Sequence, residues 1–191
     1  SKLSAKKAAK KFSHWETYSF YKNVYDLLSK KEDSEKNKEE RIDTLGLAAT
    51  PLTLLGMPNE HLWAINKSIE LAKELEDSDR VSMYYSYKAN YYTHRGDIEL
   101  AGKYAEKSFD EAEKSQNLDL MVQSSHAVAL AYIFLGVAYK VLSIVPKVVQ
   151  LIEENKRESD LFSTPISPYP FLLLYCGAAS GVLGLFQDGI K

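Results

Sequence analysis

The sequence predicts an all-α fold in which antiparallel helix pairs stack side by side in one array. Two observations predict it: a short signature that recurs at a fixed period, and amphipathic helical patterns on both sides of each copy. The glycines that mark the signature are Gly56, Gly96 and Gly136, which lie 40 residues apart, and Gly184, which follows after 48. A chain of 191 residues has room for about four such pairs, since each pair is one structural repeat.

The signature consists of a small residue, an aromatic or other large residue three positions later, and a glycine four positions after that. It is clearest at Ala89, Tyr92 and Gly96 and again at Ala129, Tyr132 and Gly136. Weaker copies are Ala49 and Leu52 before Gly56, and Gly177 and Ser180 before Gly184. Equal spacings with matching neighbours indicate internal repeats.

Gly96 explains how one helix ends and the next begins. A glycine can adopt the left-handed conformation that closes a helix, and Asp97 after it is a natural N-cap for the next helix. Apolar residues recur at helical spacing on both sides of this turn. They are Val81, Tyr85, Ala89 and Tyr92 before it, and Ile98, Ala101, Ala105, Phe109 and Ala112 after it. The turn therefore joins the two helices of one antiparallel pair.

The same pattern assigns the remaining helices. Outside the second repeat they are predicted over His14–Ser29, Thr44–Leu55, Asn59–Glu76, Asp119–Leu135, Val137–Asn155 and Tyr169–Leu183. The helix pairs then span approximately 1–31, 42–77, 79–117, 118–157 and, incompletely, 168–191, all in one repeat domain. The charged segment Lys30–Glu40 is predicted to be a surface loop or the start of a helix, and Ser163–Pro170 to be a proline-rich connector.

These residues resemble the tetratricopeptide repeat (TPR) family, whose repeats carry a small residue and an aromatic residue in the first helix, a Gly-Asp or Gly-Asn turn, and small residues in the second helix. The matching residues are Ala89, Tyr92, Gly96, Asp97 and Ala101 in the second repeat, and Gly56 and Ala64 in the first. The third repeat departs from the pattern at Val137, the cap position, and at Val141, where alanine is usual. The resemblance implies a right-handed superhelical stack whose first helices line a concave, partner-binding surface.

The period of 40 is longer than the usual TPR repeat of 34 residues. This longer style is similar to the helical region that follows the ATPase module in large signalling proteins, among them proteins with an adenylate or guanylate cyclase domain and relatives of the maltose-operon activator. The entry segment Ala8–Phe12, with Tyr21 and Leu27–Leu28 further on, is similar to the start of that region. Ser1–Phe12 resembles the tail of an earlier helix and Phe186–Lys191 the opening of a further one, so we expect the chain to be a fragment of a longer protein.

The composition is that of an ordinary globular protein, 45% hydrophobic and 26% charged. With a net charge of -2 and a pI near 6.1, the chain lacks the strongly basic surface that broad nucleic-acid binding needs. Cys176 is the one cysteine, which excludes an internal disulfide framework and is typical of a reducing compartment. Since no apolar signal segment follows the Lys/Ala-rich start, we expect a cytoplasmic protein.

The uncharged stretch Tyr169–Phe186 has two interpretations. It is just long enough to be a transmembrane candidate, but its Gly/Ala/Ser-rich middle also suits close helix packing in a soluble repeat protein. We favour the second interpretation and expect no membrane association, because proline precedes the stretch and Gln187 and Asp188 follow it. An exposed apolar helix over Leu172–Leu185 would also allow two copies of the chain to form a homodimer.

No catalytic motif is recognisable in the sequence. The patterns G-x-x-x-x-G-K-[ST], G-x-G-x-x-G, H-E-x-x-H and C-x-x-C are all missing, so we predict neither catalytic activity nor a cofactor, and any ATPase or cyclase activity would belong to the parent protein. The histidines are His14, His61, His94 and His126. His94 and His126 fall on adjacent first helices, but a metal site needs further ligands, which the pattern does not supply. We therefore predict no metal site.

The exposed positions of the first helices are the predicted binding site. Counted from Ala89 and Ala129, they hold Met83, Ser86, Asn90, Thr93 and His94 in the second repeat, and Gln123, His126, Leu130 and Ile133 in the third. Asn90 stands where members of the TPR family bind a peptide carboxylate or backbone. A carboxylate clamp would also need Lys or Arg on neighbouring helices, so we do not expect a site for acidic C-termini.

Two functions fit these features. The first is a non-catalytic interaction module, a scaffold or regulator in the signal transduction of an ATPase- or cyclase-associated protein, which binds a peptide or a partner domain in the concave groove. The alternative is a small-ligand-sensing helical domain like that of a transcriptional activator. A small molecule that raised the melting temperature would favour the alternative.

Overall fold

The computed structural model describes residues 13–162 and 166–185, and these residues form helices joined by short turns, without a β-strand among them. The helices are α1 His14–Leu28, α2 Glu35–Leu54, α3 Asn59–Glu74, α4 Ser78–His94, α5 Ile98–Lys114, α6 Leu118–Phe134, α7 Ala138–Glu154 and α8 Tyr169–Val182. The predicted all-α fold is therefore confirmed. The sequence predictions for Ser1–Phe12 and Phe186–Lys191 lie outside the described residues.

The chain divides into two compact units, Ser1–Tyr84 and Tyr85–Lys191, with the boundary inside α4. In the N-terminal unit, α2 lies between α1 and α3 and packs against both. In the C-terminal unit, α6 packs against α5, α7 and α8, and α7 also packs against α8. Each unit has its own buried side chains, Ile42, Leu52 and Ile65 in the first and Val128, Val145, Ile152 and Leu172 in the second.

The first helix of each pair ends at a glycine in the left-handed conformation. Gly56, Gly96, Gly136 and Gly184 have φ angles of 79°, 77°, 69° and 75°. At the second of these turns the amide of Gly96 donates to the carbonyl of Thr93, and the amide of Asp97 donates to the carbonyl of Tyr92, both at 3.0 Å. The Asp97 carboxylate then accepts a hydrogen bond from the amide of Leu100 at 3.1 Å and caps α5. The turn predicted from Gly96 and Asp97 is thus present.

The second helices end in the same backbone conformation without glycine. Glu76, Gln116 and Lys156 have φ angles of 53°, 55° and 56° and lie 40 residues apart, each 20 residues after one of the glycines Gly56, Gly96 and Gly136. Left-handed backbone costs about 1–2 kcal/mol for a residue with a Cβ atom. The packing of the helices that follow evidently offsets this cost, because the conformation recurs in all three pairs.

Helix α2 begins at Glu35, nine residues before the predicted start at Thr44. The charged segment Lys30–Glu40 is thus a short loop followed by two helical turns. Ser34 caps the helix by accepting from the amide of Asn37 at 3.3 Å, and the buried Asn37 amide donates to the carbonyl of Leu28 at 3.0 Å. Since the contact to α1 is made by a polar residue, the hydrophobic pattern did not reveal this part of the helix.

The other helix ends predicted from the sequence lie within one or two residues of the observed ones. Such differences are normal, because the last turn of a helix often frays. The sequence reading of the turns is therefore sufficient to place α3 and α6–α8.

Small residues allow close packing in the C-terminal unit. Ala101, Ala105 and Ala112 of α5 are fully buried, and a Cβ atom on Gly102 would lie 3.3 Å from the ring of Tyr132 in α6. The close contact between α5 and α6 thus depends on residues with little or no side chain.

The Tyr132 hydroxyl accepts a hydrogen bond from Lys140 at 3.0 Å. Lys140 also donates to Glu106 at 2.8 Å, and the bonds to Glu106 and then Tyr132 raise its pKa. The Lys140 side chain of α7 thus bonds to both α5 and α6.

No helix within the described residues is long and apolar enough to cross a membrane. Helix α8 contains 14 residues, about 21 Å at the usual rise per residue, whereas the hydrocarbon core of a bilayer is about 30 Å thick. Its exposed side chains are nevertheless apolar, with Leu174 63% and Val182 73% exposed.

Two substitutions at left-handed positions of one repeat test the turn geometry. We expect Gly96→Ala to destabilise the chain by about 1 kcal/mol, because the added Cβ strains the backbone although it meets no atom within 4 Å. We expect Gln116→Gly to stabilise it by up to about 1 kcal/mol, because glycine relieves the same strain. Urea unfolding followed by circular dichroism measures both changes. An unchanged midpoint for Gly96→Ala, or a lower one for Gln116→Gly, would contradict the assignment.

Candidate partner-binding groove

A groove of about 410 Å³ lies in the C-terminal unit between the first helices α4 and α6. Its walls come from α4 and α6, and the start of α5 contributes to its floor. The lining residues are Ser86, Tyr87, Ala89, Asn90, Thr93, Ile98, Ala101, Gln123, His126, Ala127, Leu130, Ala131 and Phe134. The groove is open to solvent because alanine occupies four of these positions.

Six of the nine residues selected from the sequence line this groove. They are Ser86, Asn90, Thr93, Gln123, His126 and Leu130. Met83 is half-buried and belongs to the N-terminal unit, whereas His94 is exposed in the last turn of α4. Ile133 is half-buried against the apolar core of the C-terminal unit. Their roles in binding stay predictions.

Sequence reasoning missed the aromatic side chains of the groove. Phe134 is 72% exposed and Tyr87 42% exposed, and both line the groove. On α6 the lining residues Gln123, Ala127, Leu130 and Phe134 follow alternating steps of four, three and four, which keeps them on one helical stripe. This step pattern would have selected Phe134 in place of Ile133.

Among the described residues, the lining of the groove contains no Asp, Glu, Lys or Arg. The groove is therefore uncharged at neutral pH if His126 is neutral. This is unusual for a surface of a chain in which 26% of the residues are charged. Lys88, which lies between the lining residues Tyr87 and Ala89 in the sequence, is placed over the ring of Tyr104.

His126 lies where the groove meets α8. Its ring is 6.1 Å from that of Phe171, edge to face, and 5.4 Å from that of Tyr175. Burial lowers the pKa of His126, so its imidazole is neutral at pH 7. The Nδ1 atom of this ring is buried and has no hydrogen-bond partner within the described part of the chain.

Two amide side chains add polar atoms to the groove. Asn90 is exposed, and no hydrogen bond or ion pair of its side chain is found in the described ranges. Gln123 donates from Nε2 to the carbonyl of Phe162 at 2.9 Å, and its Oε1 is an acceptor that this bond does not use. The groove thus combines apolar walls with uncharged donors and acceptors.

The segment after α7 fixes the position of Gln123. Phe162 is buried and has a left-handed φ of 47°, and the guanidinium of Arg157 lies 4.5 Å from the centre of its ring. Arg157 also pairs with Asp119 at 2.8 Å and with Asp160 at 2.6 Å. Contacts from α6 and from the segment after α7 therefore hold the carbonyl that orients the Gln123 amide.

Among the described residues, neither a cluster of metal ligands nor a reactive thiol accompanies the groove. No group of three or more His, Cys, Asp and Glu side chains that could hold a metal ion is found among them. Cys176 is half-buried in α8, and burial raises the pKa of its thiol to about 11. The thiol is therefore protonated at neutral pH and is a poor nucleophile.

The sequence matches no family model, and no curated protein is similar to it. Solved structures are similar to the chain. A kinesin light chain protein from Podosopora anserina with nearly identical TPR-like repeats superimposes with a TM-score of 0.66 at 16% identity, over 97% of this chain and 86% of that one. The apo form of RapI gives a TM-score of 0.63 at 12% identity, over 98% of this chain and 69% of that one.

A third similar structure is BtubC (BKLC) from P. vanneervenii, with a TM-score of 0.60 at 10% identity, over 93% of this chain and 84% of that one. At these identities the likeness concerns the fold. The chain has a TPR-like helical repeat fold, as the resemblance of its repeats implied.

Burial of His126 predicts a specific pH dependence of stability. Its pKa is lowered in the folded chain from about 6.5 in the unfolded chain, so the unfolded state binds the extra proton as the pH falls below 6.5. His61, which is also buried, acts in the same direction. We expect stability to fall from pH 7 to pH 5 and to fall less in His126→Gln.

Urea midpoints measured at pH 7, 6 and 5 test this difference in slope. The matched control is His94→Gln, which makes the same replacement at an exposed histidine. Equal slopes for His126→Gln and the original chain would refute the contribution of His126.

Proposed function

We propose that the chain is a non-catalytic interaction module and binds a peptide segment of a partner protein in the groove between α4 and α6. The observation that carries this proposal is the exposed Asn90 amide facing a groove whose wall exposes Phe134. The TPR-like fold supports it, because stacked helical repeats create extended binding surfaces.

The chemistry of the groove suits a peptide. When a partner covers an exposed aromatic side chain such as Phe134, the removal of its surface from water favours binding by roughly 25 cal/mol per Å². Aromatic residues in such positions are enriched among those that dominate binding energy. Asn90 offers one acceptor and an NH2 donor, which match the carbonyl and amide of a peptide backbone.

We propose further that the module belongs to a larger signalling protein, as a regulatory arm associated with an ATPase or cyclase domain. The support is that the 40-residue repeats and the segment Ala8–Phe12 are similar to the helical region that follows the ATPase module in large signalling proteins. The partner would then be a domain of the same protein or a separate protein in the cytoplasm. Sequencing the gene on both sides of this segment tests the proposal, since a phosphate-binding loop and a cyclase or DNA-binding domain are expected there.

A small-ligand sensor is the second candidate. The groove volume of about 410 Å³ falls in the range of about 300–1,000 Å³ that is usual for small-molecule sites. A small molecule that binds there would raise the melting temperature in proportion to its occupancy. A metabolite screen by thermal shift therefore separates this candidate from peptide binding.

Replacing the two groove residues together should abolish most of the binding. Twelve-residue peptides are selected from a random phage-displayed library on the immobilised chain, resynthesised with a fluorophore, and measured by fluorescence anisotropy. We expect Asn90→Ala/Phe134→Ala to raise Kd at least tenfold, which corresponds to about 1.4 kcal/mol. The melting temperature should change little, because both side chains are exposed.

The matched control is Leu54→Ala. Leu54 ends α2 as Phe134 ends α6, and it is 65% exposed but lies outside the groove. Its replacement should leave Kd unchanged. If the selected peptides bind the double variant as tightly as the original chain, the groove is not the binding site.

A further inference from the structure

The uncharged lining specifies the kind of peptide, and this inference rests on the proposed function. We infer that the groove selects an extended, uncharged internal segment with one large apolar side chain, and that it discriminates against acidic segments and free C-terminal carboxylates.

No side chain in the described lining can neutralise a carboxylate. Burying a charged group without a partner is unfavourable, because the group loses its hydration. The nearest candidate for an anion site would be the start of α5, since Ile98 lines the groove and helix N-termini attract anions. Asp97 already occupies that position by accepting the amide of Leu100, and Glu99 adds a second negative charge in the first turn. The one place that could favour an anion is thus acidic.

The apolar wall provides the anchor position. Phe134 and Tyr87 expose large areas, and the half-buried Leu130 and four alanines line the same groove. A leucine, methionine or phenylalanine side chain of the peptide would cover these surfaces. Because the alanines leave space, a large side chain is accommodated better than a small one.

The polar atoms favour an extended backbone. The Asn90 amide can donate and accept hydrogen bonds, and the Oε1 atom of Gln123 can accept them from backbone N–H groups of a bound segment. An α-helical ligand has satisfied its own backbone groups along its length, so it would leave these side chains unused. An extended segment presents free N–H and C=O groups at every residue.

A charge series on one selected peptide tests the inference. The parent is a peptide from the phage-displayed library, synthesised with an acetylated N-terminus and an amidated C-terminus so that it carries no terminal charge. We expect a Glu substitution next to the apolar anchor to raise Kd at least tenfold. A Lys substitution should raise it less, and a free C-terminal carboxylate should not improve binding.

A substitution in the groove should reverse this preference. Asn90→Lys places a cation in the groove at an exposed position, and we expect it to bind the Glu-substituted peptide at least tenfold more tightly than the original chain does. Thr50→Lys is the matched control. Thr50 is also exposed and lies one repeat earlier on α2, outside the groove, so the same added charge should leave both affinities unchanged.

The outcomes separate the two proposals. If the selected peptides are acidic and lose affinity in Asn90→Ala/Phe134→Ala, the groove binds peptides but our inference about charge is wrong. If no peptide is selected, or if binding is insensitive to the double variant, the proposed function fails and the inference with it. Neutral peptides whose affinity follows the predicted order support both.

Discussion

The left-handed residue that follows α2 and each later helix is the constraint on which the rest of the chain depends. Gly56, Gly96 and Gly136 end the first helices, and a non-glycine residue in the same conformation ends the second helix 20 residues after each of them. One chain reversal therefore occurs every 20 residues, and α4, α5, α6 and α7 each contain 17 residues. Equal helix lengths bring equivalent positions into register, so Ala89 and Ala129 are both buried at corresponding sites.

This register separates the charged surface from the groove. Lys140 pairs with Glu106, and Lys147 pairs with Glu113, so the cations of α7 meet the carboxylates of α5. Both of these are second helices. The first helix α6 carries Asp119 as its one charged residue, and Asp119 is paired with Arg157. These two pairs thus stabilise the contact between the second helices α5 and α7, while α6 contributes no charged side chain to the groove.

The fold could be predicted from the sequence because its main signals are local. A glycine followed by an N-cap residue, with apolar residues at helical spacing on both sides, determines where each first helix ends. The early start of α2 could not be predicted, since it depends on the buried polar residue Asn37 and its bond to Leu28. The left-handed conformations of Glu76, Gln116 and Lys156 could not be predicted either, because none of these positions is a glycine.

The position of the groove could be predicted from the sequence, but some of its lining residues could not. Counting from Ala89 and Ala129 located Asn90, Gln123 and His126, because these positions follow from helix geometry alone. Phe134 was missed because the count from Ala129 did not follow the helical stripe that runs through Gln123, Ala127 and Leu130. The hydrogen bond between Gln123 and Phe162 joins residues 39 positions apart, so no local sequence pattern predicts it.

An uncharged groove also has a kinetic consequence. Complementary charges accelerate association by steering partners together over long distances, and neutral interfaces lack this effect, with typical rate constants of about 10⁵–10⁶ per molar per second. Partners of this groove would therefore meet it by unassisted diffusion at a rate that changes little with ionic strength. The lifetime of the complex, set by the fit of one side chain against Phe134 and Leu130, would then decide which partner stays bound.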